Sequence, residues 1–230
     1  MENDLVVNNS LRALGLENSS AEGKQSMGLV MARAGLGKTA ILVQFALDCM
    51  LLGNKVLHVA IGEGVDKTRA WYDDILAVLT DGEKIETIPE IMHNRMIMTF
   101  KESGFSKALF EERLEDLVKQ GIYQPQCLII DGYDFEGNTK ESLEEFKAFM
   151  LEQGLKMIWF SAVSHRGDER VSASGVPAPC HDLDSVFDTV LLINPSKDEM
   201  KLDIIKCDTG SIDPGTTLLL DPSTMLLKKA

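Results

Sequence analysis

The residues whose types and spacing could do chemistry gather in the run ARAGLGKT, Ala32 to Thr39. It follows an apolar stretch and leads straight into AILVQFALDCMLL, the strand–loop–helix context in which a glycine-rich loop cradles phosphate. Gly35 and Gly37 let the backbone curl so that successive N–H groups point inward, and the helix that follows adds the positive end of its dipole. The expected cradle is Ala32, Arg33, Ala34, Gly35, Leu36, Gly37, Lys38, Thr39 and Ala40. Within it Lys38 would reach the β- and γ-phosphates of a nucleoside triphosphate, and Thr39 would offer its hydroxyl to Mg2+. Ala32 stands where the pattern G-x-x-x-x-G-K-[ST] has its first glycine, and a methyl group is tolerated there if φ is negative.

A second chemical position is Asp131, which ends the apolar run LIID, Leu128 to Asp131. An aspartate closing a strand is common as a turn former. Beside a phosphate loop, the same aspartate is expected to hold magnesium through water.

These residues need a scaffold. Strand-like apolar runs alternate with amphipathic helical segments, the pattern of an α/β protein with a largely parallel sheet. Strands are expected near 27–31, 55–61, 96–100, 127–131, 157–162, 189–193, 201–206 and 217–220, and helices over 38–52, 66–79, 105–120 and 140–152. In the third helix Leu109, Phe110, Leu114, Leu117 and Val118 recur at helical spacing, while Glu111, Glu112, Glu115 and Asp116 take the other face. After Asn194-Pro195 the turn signals Asp213-Pro214-Gly215 and Asp221-Pro222 divide short strands into antiparallel hairpins that extend the sheet. The expected organisation is one domain over 1–230: an N-terminal extension 1–25, a phosphate-loop core 26–193 and C-terminal strands 194–230. The segment Ser164 to Asp182 is too long for a simple connection and is a candidate functional loop.

In GKT, LIID and the segment VLHVAIGEGVDKTRAWY, the chain resembles the RecA-like P-loop ATPases, especially the KaiC/RadA/DnaB group, and the resemblance spans nearly its whole length. The resemblance implies ATP and Mg2+ as ligands and ATP hydrolysis as the activity. It assigns Glu63, after the second strand, as the base that activates water, with Lys38 as its catalytic partner on the phosphates. It also implies that the strand MIWFSAVSHR lies between the phosphate-loop strand and the LIID strand. The relatives often carry glutamine or asparagine at its polar end to sense the γ-phosphate, whereas this chain has Ser161, Ser164 and His165. Near the C-terminus DIIKCDTG resembles the segment that carries K-x-R across to ATP in a neighbouring subunit. Lys206 matches and Asp208 replaces the arginine, which implies slow hydrolysis or a finger from elsewhere, such as Arg166 or Arg170.

Composition narrows the classes. The chain has 230 residues, 44% of them hydrophobic, enough for one sizeable core. Polar residues such as Gln44 interrupt the apolar runs, so no membrane span is expected. The opening MENDLVVNNS has no basic flank or long apolar segment, and a cytoplasmic protein is expected. Its four cysteines lack C-x-x-C spacing and are expected to be reduced. A net charge of −13 opposes non-specific attraction to nucleic acid.

Three functions stay open on this basis: an ATPase that assembles as a homo-oligomeric ring or filament and acts on itself or a protein partner, a DNA-dependent motor, and a non-catalytic nucleotide switch. For the motor, Tyr133 and Phe135 in the loop Gly132 to Asn138 would be the stacking residues, but both candidate loops are acidic or charge-balanced. No N-K-x-D guanine motif and no arginine-rich lid is present, which disfavours a GTPase and a small-molecule kinase. His58, His93 and the Cys180-His181 pair are assigned no role, and Ile91 to Met98 is expected to be core packing.

Overall fold

The computed structural model describes residues 10–16, 25–83, 86–165, 167–196, 199–208 and 212–228. In chain order the elements are α1 (Ser10–Ala13), β1 (Ser26–Ala32), α2 (Lys38–Leu51), β2 (Val56–Ile61), α3 (Val65–Leu79), α4 (Ile88–Met92) and β3 (Arg95–Phe100). There follow α5 (Lys107–Lys119), β4 (Cys127–Asp131), α6 (Lys140–Glu152), β5 (Met157–Val163), β6 (Thr189–Pro195), β7 (Met200–Cys207) and β8 (Thr217–Leu220). Single turns of 3₁₀ helix occupy Glu102–Gly104 and Asp184–Val186. The expected strands and long helices are all present, with ends displaced by one or two residues. The short helices α1 and α4 were not expected, because neither is long enough to show a periodicity.

One sheet of eight strands runs β3-β2-β4-β5-β1-β6-β7-β8. Strands β1 to β6 are mutually parallel, and β7 and β8 join antiparallel as hairpins. This is an α/β fold with a mainly parallel sheet flanked by helices. Strand β1 is buried at every position, as expected of a parallel strand covered on both faces. Its residues alternate between two cores. Val30 and Ala32 pack beneath α2, while Met27, Leu29 and Met31 face the layer that holds Phe110 of α5 and Phe146 of α6. Gly28 leaves room for the Trp159 ring, which in turn lies 4.4 Å from that of Phe45.

Helices α5 and α6 begin where the sequence places caps. Ser106 Oγ accepts from Leu109 N–H and Thr139 Oγ1 from Ser142 N–H, both at 3.2 Å. Helix α2 is different, being buried from Ala40 to Met50. Its two internal polar side chains therefore need partners. Gln44 accepts from Ser10 Oγ at 2.8 Å and donates to Met225 O at 2.9 Å, so one amide ties segments near both ends of the chain to this helix. Asp48 accepts from Leu11 N–H at 2.8 Å. Burial raises the Asp48 carboxyl to about 8, against the lowering effect of the Leu11 and Ser10 N–H groups.

One of the alternatives changes in three dimensions. Tyr133 and Phe135 are buried in the aromatic cluster with Phe146 and Phe160, and are not available to stack on bases. The run Ile91 to Met98 spans the end of α4 and the start of the edge strand β3, and its half-buried Ile91, Met92, Met96 and Met98 pack against the two cores, as expected. The cysteines are free, as expected, and Cys49, Cys127 and Cys180 are buried. Among the described residues no helix is long and apolar enough to cross a membrane.

Two outcomes test this packing. Asp48 holds a proton in the folded chain that it gives up when unfolded, so its contribution is present at low pH and is lost as pH rises from about 4 to about 8. Asp48→Asn should therefore gain stability over the native chain with rising pH, by up to about 1.4 kcal/mol per pH unit in that window, read by urea unfolding at several pH values. Gly28→Ala should cost about 1–3 kcal/mol in the same assay, because the added methyl meets a Trp159 ring that has no room to move.

Candidate functional site

The C-terminal ends of the parallel strands share one edge of the sheet, and the loop after β1 opens there. Ligands of open α/β sheets bind outside this edge. Ala32 is the last residue of β1, paired with Val163, and its φ is not positive. The methyl group is therefore accommodated as strand, and the turn begins one residue later. Gly35 and Gly37 take φ of 75° and 84°, left-handed values that a side chain would oppose. Gly37 is the residue before α2 and provides no side-chain cap, so the first N–H groups of that helix face the loop.

Lys38 is half-buried under this loop. Its ammonium donates to Ala32 O at 3.4 Å and Arg33 O at 3.3 Å, and among the described residues it makes no ion pair. Desolvation by burial lowers its pKa, and the nearby charge of Asp131 opposes that shift. A partly desolvated cation with only carbonyl partners is under-neutralised, which suits an incoming anion.

Thr39 and Asp131 meet across 92 residues of chain, with Thr39 Oγ1 donating to Asp131 Oδ2 at 2.6 Å. Asp131 stands at the end of β4, one strand away from β1, and β5 fills the gap. On β5, Ser161 donates to the other oxygen of Asp131 and accepts from Gly132 N–H at 3.1 Å. The strand expected between the loop strand and the LIID strand is thus in that position, and Ser161 is the residue of its polar end that reaches Asp131. Ser164 N–H donates to Ala32 O at 3.0 Å, which ties the exits of β5 and β1 together.

Two cavities flank the loop. One, of ≈ 440 Å³, is lined by Arg33, Ala34, Leu36, Val163, Ser164 and His165. The other, of ≈ 360 Å³, lies over the strand ends and is lined by Lys38, Ser161 and His165 together with Ile61, Glu102, Gly132 and the loop from Tyr133 to Glu136. The two share Val163 and His165.

The fit to a phosphate and its cation can be judged from these contacts. The open space over Gly35, the helix N–H groups and Lys38 could cradle anionic oxygens. Thr39 and Asp131 could offer a pair of oxygens to a hard cation, and among the described residues no group of three or more His, Cys, Asp or Glu side chains could hold a metal alone. The cation would come with the phosphates, as Mg2+ does when a protein supplies only one or two ligands.

The remaining expected residues lie elsewhere. Glu63 follows β2 but its carboxylate is 2.6 Å from Lys67 Nζ, half-exposed, and it does not line the cavity. Lys206 is in β7 level with Val190, toward the opposite end of the strands, and donates to Phe187 O at 2.7 Å and pairs with Asp208 at 3.0 Å. Arg170 is held by Asp168, with Nη2–Oδ2 at 2.6 Å. Arg166 lies outside the described residues. His58 Nδ1 is 2.9 Å from Tyr72 Oη, and burial lowers its pKa to about 4, so it is a neutral core residue. His181 Nε2 lies 3.3 Å from Asp182, and Cys180 is buried beside it.

Sequence reasoning missed two residues at this site. Glu102 lines the cavity from the turn after β3. Met225, from the segment after β8, packs against Gly37, where an added Cβ would lie 2.5 Å from its Cε. Neither belongs to a motif, and only the sheet order and the return of the chain bring them here. The chain matches no family model and no curated protein.

The Gly37–Met225 contact yields a separable outcome. Gly37→Ala should destabilise the chain by roughly 1–3 kcal/mol through backbone strain and the Met225 clash together. Adding Met225→Ala should recover the clash and leave the strain, so the double variant falls between the native chain and Gly37→Ala in urea unfolding.

Proposed function

We propose that the chain is a Mg2+-dependent ATP-binding protein of the RecA-like, KaiC/RadA/DnaB-like kind that hydrolyses ATP slowly and acts on itself, as a homo-oligomeric ring or filament, or on a protein partner. The observation that carries this reading is the hydrogen bond from Thr39 to Asp131 beside the half-buried, unpaired Lys38, at the strand-end edge where α2 presents its first N–H groups. Hydroxyl, carboxylate and ammonium are the three groups that Mg-ATP requires of its site.

In this reading Lys38 leaves the carbonyls of Ala32 and Arg33 to meet the β- and γ-phosphate oxygens. The backbone of Arg33 to Ala40 would line the phosphates, and Thr39, with Asp131 through water, would hold the cation, which would supply charge neutralisation of the phosphates. Ser161, bonded to Asp131 from β5, would keep that carboxylate oriented and report the γ-phosphate. Localisation to the cytoplasm accords with the reduced thiols. Nucleic acid is not favoured as a partner, since Tyr133 and Phe135 are buried and the chain carries a net charge of −13.

A second reading, a nucleotide-dependent switch without turnover, draws support from the pairing of Arg170 with Asp168 and of Lys206 with Asp208. Neither cation is left to stabilise a transferring phosphoryl group from its own chain.

Equilibrium binding of Mg-ATP, followed by phosphate release, tests both. Lys38→Ala should weaken binding by about 10- to 100-fold, the loss of 1.5–3 kcal/mol for a charge-assisted contact. Asp131→Asn should raise the Mg2+ concentration needed for half-maximal binding while leaving metal-free ATP binding alone. Binding by both variants equal to that of the native chain would remove the site from this loop, and tight binding without phosphate release would favour the switch.

A further inference from the structure

We infer that Glu102, on the turn after β3, is the general base for water attack on the γ-phosphate. This rests on the ATP-hydrolysing reading of the same cavity. Glu102 lines the wall of that cavity together with Lys38, Gly132 and Ser161, whereas Glu63 is turned to Lys67. Among the described residues its carboxylate makes no hydrogen bond or ion pair, so it is free to accept a proton. Of the other two acidic lining residues, Asp134 Oδ1 accepts from Glu136 N–H at 2.9 Å within its own turn. The Glu136 carboxylate, like that of Glu102, makes no hydrogen bond or ion pair among the described residues, but it sits on the loop after β4 and has no contact with the end of β2 such as Glu102 makes at Gly62.

The backbone holds Glu102 in place. Gly62 N–H donates to Phe100 O at 2.8 Å, joining the exits of β2 and β3. Gly62 has φ 84°, and a Cβ there would lie 2.9 Å from Glu102 Oε1, so the bare glycine is what lets the carboxylate lie against the end of β2 beside Ile61. The 3₁₀ turn that carries Glu102 is anchored by Phe105, whose ring meets Phe100 at 5.2 Å and Tyr133 at 5.8 Å. The exposed Glu102 carboxylate thus shares the cavity over the strand ends with Lys38, open to water from the solvent side.

The step balances on these groups. The water oxygen bonds to the γ-phosphorus and a water proton passes to the Glu102 carboxylate. The bond from the γ-phosphorus to the bridging oxygen breaks with its electron pair staying on that oxygen, so ADP leaves. Inorganic phosphate carries the former water oxygen, and the Glu102 proton returns to solvent.

The test compares the full native chain with Glu102→Gln, Glu102→Ala and Glu63→Gln, measuring phosphate release under saturating Mg-ATP and the affinity for Mg-ATP separately. Glu102→Gln should lower kcat by about 10²- to 10⁴-fold while its affinity stays within about threefold of the native value. Glu63→Gln should lower kcat by less than about tenfold. Added formate should restore part of the turnover of Glu102→Ala, which a merely structural glutamate would not allow. A larger loss in Glu63→Gln than in Glu102→Gln, or native kcat in Glu102→Gln, overturns the assignment. Mg-ATP binding without turnover in the native chain also overturns it but leaves the binding site standing, whereas no binding at all overturns the ATP reading itself.

Discussion

The hydrogen bond from Thr39 to Asp131 is the constraint on which the rest of the site depends. Its two residues belong to strands that are not neighbours, since β5 lies between β1 and β4. Thr39 reaches Asp131 from the first turn of α2, which begins directly at the loop. Ser161 then occupies the space between, bonded to the same carboxylate. A slip of β5 by one residue would move Ser161 to the opposite face of the sheet and leave Asp131 short of a donor. Register in the parallel sheet is therefore the quantity that sets the site's geometry.

Helix α2 has to remain immobile for that geometry to last, and its burial achieves this in two ways. Its apolar residues fill one face of the sheet, and its two buried polar side chains fasten segments from near both ends of the chain. Gln44 joins Ser10 to Met225, and Asp48 receives the N–H of Leu11. Neutral Asp48 is tolerable inside because burial has raised its pKa, so the cost of a buried charge is avoided near neutral pH. Met225, positioned by Gln44, closes on Gly37 from below. The loop is thus braced by a residue far from it in sequence.

Much of the scaffold was legible because its signals are local. Apolar runs locate β1 to β8, helical spacing of Leu109, Phe110, Leu114, Leu117 and Val118 locates α5, and GKT after an apolar strand marks the loop. Even the polar interruption at Gln44 was visible, though only as a break in an apolar run. The aromatic pair Tyr133 and Phe135 misled, because a loop between a strand end and a helix reads as exposed, whereas here it folds back onto Phe146 and Phe160. The position after β2 shows another contact that the sequence reading did not include. Glu63 has the right place in the chain, yet Lys67 is one helical turn away and takes its carboxylate.

By itself the sequence determined the α/β class, the glycine-rich loop between β1 and α2 and the carboxylate at the end of LIID, since each is written in contiguous residues whose periodicity or turn chemistry acts over one or two turns of chain; that β5 would stand between β1 and β4 came from the family resemblance alone. Tertiary structure alone decided which side chains share the cavity. Glu102 enters because β3 pairs beside β2, Lys206 is excluded because β7 runs antiparallel and carries it toward the far edge, and Met225 arrives because the chain returns under Gly37. The physical reason is one of range: strand pairing and chain return are set by the burial of two cores at once, and no short stretch of residues contains that information.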